Sequence, residues 1–406
     1  MILSNFLAAV LINTSYRLRL WLTVGVVVWS FIVVSAYAEV DPGAKKTSEN
    51  TSLTPSSLWP DPLNDKQKRQ HADTIIWKFA HPAPPASHLP PVWRSGFSWL
   101  HKATFNGLQI KEYGGGVLYG FNGGFKAIRA GIAEFGTCYS AAESRGLELL
   151  RTFHAPYVAP ANPYLTARII NELTAARIKT EFQRKGVYPG HVVPVRPLTL
   201  MSKTPIRSPA DLKGKKIVSF VNTPGADQAL GFAQVRVPFT EIYTALQQEL
   251  VDAVIWVDMG FIPFKIYEQA KFYTDLNIAP ITVDTCINQK AFDRLPGPLK
   301  KNLYDFQQRM GIALVSETAN FARGAQQILE AHGVTVIRLT DQERQQWRKA
   351  FEPVVEQWLR HCDKQGKDCR GLVKEIKELS ARYGKLSDGE LIELAIKRPV
   401  QGMIDF

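Results

Sequence analysis

The sequence predicts an α/β fold in which helices alternate with parallel strands, and three features of residues 208–257 carry that prediction. Ser208 stands where a helix cap belongs, Pro209 suits the first helical position, Asp211 is placed as the return partner of a capping box, and Gly214 stops the turn. Residues 215–221 then alternate as a strand does. Thr240 can cap a helix whose Ile242, Leu246 and Leu250 fall on one face, and the apolar, β-branched run 251–257 follows at once as a buried strand. Such alternation is the pattern of a parallel sheet covered by helices.

The N-terminal segment reads differently. Arg17 and Arg19 precede an apolar run over 20–34, and Ala36-Tyr37-Ala38 has the small-x-small form of a cleavage site, so residues 1–38 have the form of a cleavable secretory signal peptide. An uncleaved anchor is the rival reading, because residues 6–11 lengthen the apolar stretch upstream. Residues 39–70 are polar and rich in Ser, Thr, Pro and Lys, the composition of a disordered leader. The formal net charge of +12 becomes +10 without the first 38 residues, which hold two arginines and no acid. The positive charges are scattered in pairs along helices without a nucleic-acid-binding signature, so solvated faces are expected and nucleic acid is not an expected partner. The rest of the 406 residues suffices for two domains of about 100–200 residues each.

From there the elements follow in order. Residues 74–80 (TIIWKFA) read as a first strand and the proline-rich 81–91 as a rigid loop, placed where open α/β sheets bind ligands. An amphipathic helix over 92–106 ends at Gly107, a strand covers 108–113, a short helix 123–131, and a strand over 132–136 leads into Thr137-Cys138-Tyr139. Asn162-Pro163 opens a long helix with Leu165, Ile169, Leu173 and Ala176 on one side, stopped by Gly186. Residues 191–201 form a long strand, 299–331 a long helix, and Thr340 to Glu343 a capping box for a helix running toward His361.

Four stretches carry a family resemblance. They are Asp211-Leu212-Lys213-Gly214 followed by Lys216-Ile217; Glu241-x-Tyr243-x-Ala245-Leu246-Gln247 leading into Val251-Asp252-Ala253; the glycine-rich 107–131; and Cys286-Ile287-Asn288 followed by Leu295-Pro296. In order and spacing they resemble the solute-binding proteins of tripartite ATP-independent periplasmic (TRAP) transporters, the DctP-like family, over roughly residues 74–385. The resemblance implies a two-lobed periplasmic binding protein fold with crossing strands, a ligand cleft between the lobes and long C-terminal helices. One lobe would comprise 71–195 plus 284–325 and the other 196–283 plus 326–406. It also implies a monomeric periplasmic receptor, without cofactor, that captures a small anionic organic solute and delivers it to TRAP permease subunits. A ligand sensor or membrane-tethered accessory on the same fold is the alternative.

Family members bind organic acids through an arginine that follows the Lys-Ile of the DLKG segment; here Val218 occupies that position. Arg196, on the upstream strand, is the substitute cation that the resemblance offers, with Arg236 a weaker one. Trp256 matches the tryptophan of a Glu-Trp pair in relatives that bind keto or hydroxy acids, but Ile255 replaces the glutamate and removes an oxygen ligand for a bridging cation. Thr137, Tyr139, Tyr157, Asn222, Gln228 and Asn288 are polar groups expected at strand ends or in the following loops, within reach of a solute. Cys362 and Cys369 flank the polar stretch 363–368, which a disulfide would close, whereas Cys138 and Cys286 either pair or remain buried thiols. Neither a metal-ligand motif nor G-x-S-x-G, H-E-x-x-H, a P-loop or C-x-x-C occurs, so no metal site and no enzymatic activity are expected.

Overall fold

Two sheets share the strands. The first has the order β2-β1-β3-β10-β4, formed by β1 (Ile75–Ala80), β2 (Leu108–Tyr113), β3 (Phe135–Thr137), β4 (Val187–Pro194) and β10 (Thr282–Asn288). The second has the order β11-β9-β5-β8-β6-β7, formed by β5 (Thr199–Ser202), β6 (Lys216–Ser219), β7 (Ala233–Gln234), β8 (Ala253–Trp256), β9 (Phe272–Thr274) and β11 (Thr335–Ile337). The computed structural model describes residues 58–60, 73–83, 87–143, 145–221 and 223–406. The signal segment 1–38, most of the leader and Asn222 lie outside the described residues.

Parallel pairing joins β1 to β2 and β3 in the first sheet, and β6 to β7 and β8 in the second. The chain crosses directly from strand to strand between the sheets twice, from β4 into β5 and from β9 into β10, and passes a third time through helix Gly297–Ala331 from β10 into β11; β10 runs antiparallel to both β3 and β4. The strand expected over 191–201 is therefore two strands in different sheets. Pro194 and Pro197 remove two ladder donors and break it at the crossing.

Helix Leu89–Ala103 covers the first sheet with Leu89, Trp93, Phe97 and Leu100, whose spacing puts them on one face. Pro90 and Pro91 in its first turn start it inside the stretch expected to be loop. Phe79 of β1 packs edge-on to Trp93 and Phe97, with ring centroids 5.0 Å apart in each case, and 4.6 Å from Phe135 of β3. Beside them His191 is fully enclosed. It accepts the Trp93 indole N–H at Nε2 (3.4 Å) and donates from Nδ1 to Gln307 Oε1 (2.6 Å), a partner set that suits the neutral ring.

The helix Gly297–Ala331 serves both sheets. Its first half packs on Leu89–Ala103 and β4, while Leu329 enters the core beneath the second sheet with Val218, Val254, Phe261 and Tyr273. Leu250, expected on the buried face of its helix, is exposed, because the helix ends at Gln247 before its face recurs.

Two further expectations are corrected. Leu58 and Trp59 of the supposed disordered leader are packed: Trp59 lies 5.3 Å from Trp99 and 6.1 Å from Phe306. Trp99 Nε1 donates to the Pro60 carbonyl (2.8 Å) and Arg309 to that of Leu58 (3.1 Å), so this apolar pair finds a ready-made aromatic seat. The helices Cys369–Tyr383 and Asp388–Lys397, assigned by sequence to the second lobe, pack instead on Glu148–Thr152 and Pro163–Leu173 of the first. Their apolar faces, including Leu372, Ile376 and Leu391, find their cover there.

Disulfides join Cys138 to Cys286 and Cys362 to Cys369, each with Cα atoms 6.0 Å apart. The first ties β10 to the residue that follows β3.

Candidate functional site

The carboxyl ends of the parallel strands in both sheets meet the crossing segments. Val195 N–H donates to Ile281 O and Leu198 N–H to Ala279 O, both at 2.9 Å, so the two crossings stay paired while Arg196 projects from between the prolines. Its guanidinium reaches Asp258 Oδ2 at 3.2 Å and Asp275 Oδ1 at 3.6 Å. Asp258 is almost wholly buried, and its other oxygen accepts the Tyr273 hydroxyl at 2.7 Å. Burial pushes the Asp258 carboxyl up to about 6 against the opposing pull of Arg196 and Tyr273. Burial also works against the Arg196 charge, but Asp258, Tyr273 and Asp275 outweigh it and hold the guanidinium above its ordinary pKa.

Aromatic side chains flank this point. Trp256, the last residue of β8, stacks on Phe220 (5.0 Å) and lies 5.4 Å from Phe264. Gly260 passes so close that any Cβ there would run into the Trp256 ring. On the first lobe, Tyr139 takes a left-handed backbone (φ 44°) and stacks on Phe121 at 4.3 Å. Burial pushes the Tyr139 phenol up to about 12, which keeps it neutral. Tyr119 clips the ends of β1 and β3 together, donating between the Ala80 and Thr137 carbonyls, and Gly136 leaves the space for its hydroxyl.

A buried polar chain links the lobes. Ser140 N–H donates to Asp284 Oδ2 (2.5 Å), the Ser140 and His154 side chains both meet Thr282 Oγ1 (3.4 and 2.9 Å), and Thr223, beyond β6, reaches the His154 carbonyl at 3.5 Å. Two helix-covered sheets, two crossings and strand ends turned to those crossings are the anatomy of a hinged binding protein.

The family model for bacterial extracellular solute-binding protein, family 7, matches residues 97–361. The chain belongs to this family. It is 29% identical over 192 residues to the 2,3-diketo-L-gulonate-binding periplasmic protein YiaO of Escherichia coli, covering 43% of this chain and 53% of that relative, so the match spans about half of the relative's length. Among solved structures it resembles a TRAP periplasmic solute-binding protein of Desulfovibrio salexigens (TM-score 0.70, 19% identity, 78% of this chain and 98% of that one). A second is the TRAP solute-binding protein of Rhodoferax ferrireducens in complex with copurified benzoate (TM-score 0.68, 20% identity, 77% and 99% covered). These likenesses establish the two-lobed fold.

Within this family member, the residues singled out by sequence separate into groups. Arg196 and Trp256 stand at the crossing and at the adjoining strand end, since Trp256 pairs with Thr199 just beyond Arg196. Thr137 and Tyr139 lie at the facing strand end of the first lobe, Thr137 with no exposed surface and Tyr139 with little. Asn288 is taken up by structure: it caps the next helix at Ala291 N (2.9 Å) and donates to Ile128 O (2.7 Å). Gln228 and Arg236 are exposed on the second lobe. Tyr157 belongs to another neighbourhood, with its hydroxyl on the Leu276 carbonyl (3.3 Å) and the Arg348 guanidinium over its ring.

Val218 lies in the core beneath the second sheet and Ile255 is fully buried, so both substitutions at family positions are ordinary core residues. Asp258, Tyr273 and Asp275, which hold Arg196, were not found from sequence. The acid two residues beyond Trp256, at the start of helix Asp258–Phe261, was the available signal. Among the described residues, no three His, Cys, Asp or Glu side chains converge as a metal site, and no helix is long and apolar enough to cross a membrane.

Proposed function

We propose that this protein is an extracytoplasmic receptor that captures a small organic acid in the cleft between its lobes and delivers it to a TRAP-type permease. The observation that carries this reading is Arg196: a charged guanidinium, partly open to solvent, at the crossing where the two sets of strand ends meet. A guanidinium presents a planar donor fork that matches a carboxylate, and Trp256 supplies an aromatic wall beside it. Relatives bind acids: one is named for 2,3-diketo-L-gulonate and another holds benzoate. Binding favours the closed form when the solute touches both lobes, because only differential affinity shifts that equilibrium.

Native mass spectrometry for a copurified small molecule, followed by thermal shift with a panel of keto, hydroxy, aromatic and cyclic acids, tests the reading. Stabilisation by at least one acid, weakened in Arg196→Ala, is expected. A folded sample that no acid stabilises, or an Arg196→Ala variant of unchanged affinity, would sink it.

A further inference from the structure

A cavity of about 350 Å3 opens where the second crossing meets the C-terminal helices, and its lining includes neither Arg196 nor Trp256. Leu276 and Asn277, between β9 and β10, form one side, and residues 157–161 of the first lobe another. Helices Asp341–Lys364 and Cys369–Tyr383 close the rest.

Three of its side chains are cations. Arg344 and Arg348 sit one helical turn apart on the same face, and Lys377 comes from the neighbouring helix. No carboxylate is among the lining residues. The partners seen for the two arginines are a carbonyl and a ring: Arg344 Nη1 donates to Asp275 O (3.3 Å), and the Arg348 guanidinium lies 4.8 Å from the Tyr157 ring centroid. Neither partner carries a negative charge, so three like charges face one concavity and an entering anion relieves their repulsion. The walls are held in defined positions. Tyr157 N–H donates to Ile278 O (2.7 Å), its hydroxyl to Leu276 O (3.3 Å), and its ring packs edge-on to Phe351. Tyr157 and Asn277 both hold left-handed backbones (φ 57° and 49°), a conformation that non-glycine residues seldom adopt and that clusters at functional sites.

We propose that this cavity is a second binding site, for a small organic polyanion such as a di- or tricarboxylate, gripped by Arg344, Arg348 and Lys377. Its volume falls in the range of small-ligand pockets. Two guanidinium forks and one ammonium suit an anion with several carboxylates better than one with a single charge. This site is independent of the solute reading at Arg196.

Isothermal titration of the exported chain with citrate, near neutral pH and at low salt, tests it in wild type, R348Q, K377Q and R196Q. Arg348 and Lys377 are exposed, so their substitution leaves the fold intact, which an unchanged Tm without citrate verifies. In the R196Q background, which removes the cation of the proposed solute site, one saturable site is expected to remain, weakened about tenfold by adding either R348Q or K377Q. Absence of saturation up to about 10 mM citrate overturns the proposal. So does a loss confined to R196Q, which places citrate at the Arg196 position, or an equal loss in all three variants, which indicates diffuse attraction to a basic surface.

Discussion

Arg196 and Asp258 form a 3.2 Å ion pair in which the guanidinium remains partly open to solvent while the carboxylate is almost wholly buried. The buried partner fixes the arginine, whose second guanidinium nitrogen lies 3.6 Å from Asp275. The same carboxylate also neutralises the charge that a solute acid would use. If Arg196 receives the solute as proposed, the solute and Asp258 compete for one cation, and proton concentration decides the competition.

Asp258 titrates near 6, and acidification through that value removes its negative charge. Solute carboxylates with ordinary pKa values near 4 stay ionised at that pH. Affinity for such an acid is expected to rise, by up to about tenfold, as pH falls from about 7.5 to 5.5. Asp258→Asn should give the higher affinity at neutral pH and abolish the dependence. Calorimetric titrations across that range are the check, and a wild-type affinity that falls on acidification contradicts the competition.

Stability should respond to acid in the opposite direction. Burial lowers His191 to about 4 and His154 to about 3, the latter with help from Arg151, whereas an unfolded chain protonates histidine near 6.5. Between those values the unfolded state binds more protons, so stability present above about pH 6.5 is lost as pH falls toward 4. Each pKa unit of difference corresponds to about 1.4 kcal/mol, which makes the joint effect several kcal/mol. Asp258, whose folded value is raised, adds stability on acidification between about 6 and 4 and offsets part of the loss. Tm measured against pH should fall below about 6.5, and His191→Gln should lower Tm at neutral pH while making the slope shallower. An equally steep slope in that variant would exclude His191 as a source.

The two disulfides should differ in weight. Loop-closure entropy assigns about 5 kcal/mol to Cys138–Cys286, with a sequence separation of 148, and about 2 kcal/mol to Cys362–Cys369, with a separation of 7. The paired serine variant of the first bond should therefore lose more denaturant stability than that of the second. A reversed order would show that strain or residual structure outweighs loop length.

Where one local cause sets an element, it was legible in the sequence. Asn162 caps its helix at the Tyr164 and Leu165 amides, and Thr340 and Glu343 cap each other reciprocally. Less was legible where tertiary contact decides. The helix from Pro163 contains a π-helical stretch at Thr174–Ile178 that side-chain spacing does not announce. The break after Pro194 was written in two prolines, but an apolar run on either side concealed that its halves serve different sheets. At the site, Arg196 and Trp256 stood out as departures from or matches to a family pattern. Asp258, Asp275 and Tyr273 did not, because their role depends on three chain segments meeting in space.

The seating of Leu58 and Trp59 against Trp99 and Phe306 fixes the point at which the chain enters the folded body. That point lies on the helix layer of Leu89–Ala103 and Gly297–Ala331, and the second of these helices is shared by both lobes. Leu58 and Trp59 therefore tie the chain, well before the first strand, to a helix layer that both lobes share, so loosening that seat loosens the packing of a helix common to both sheets.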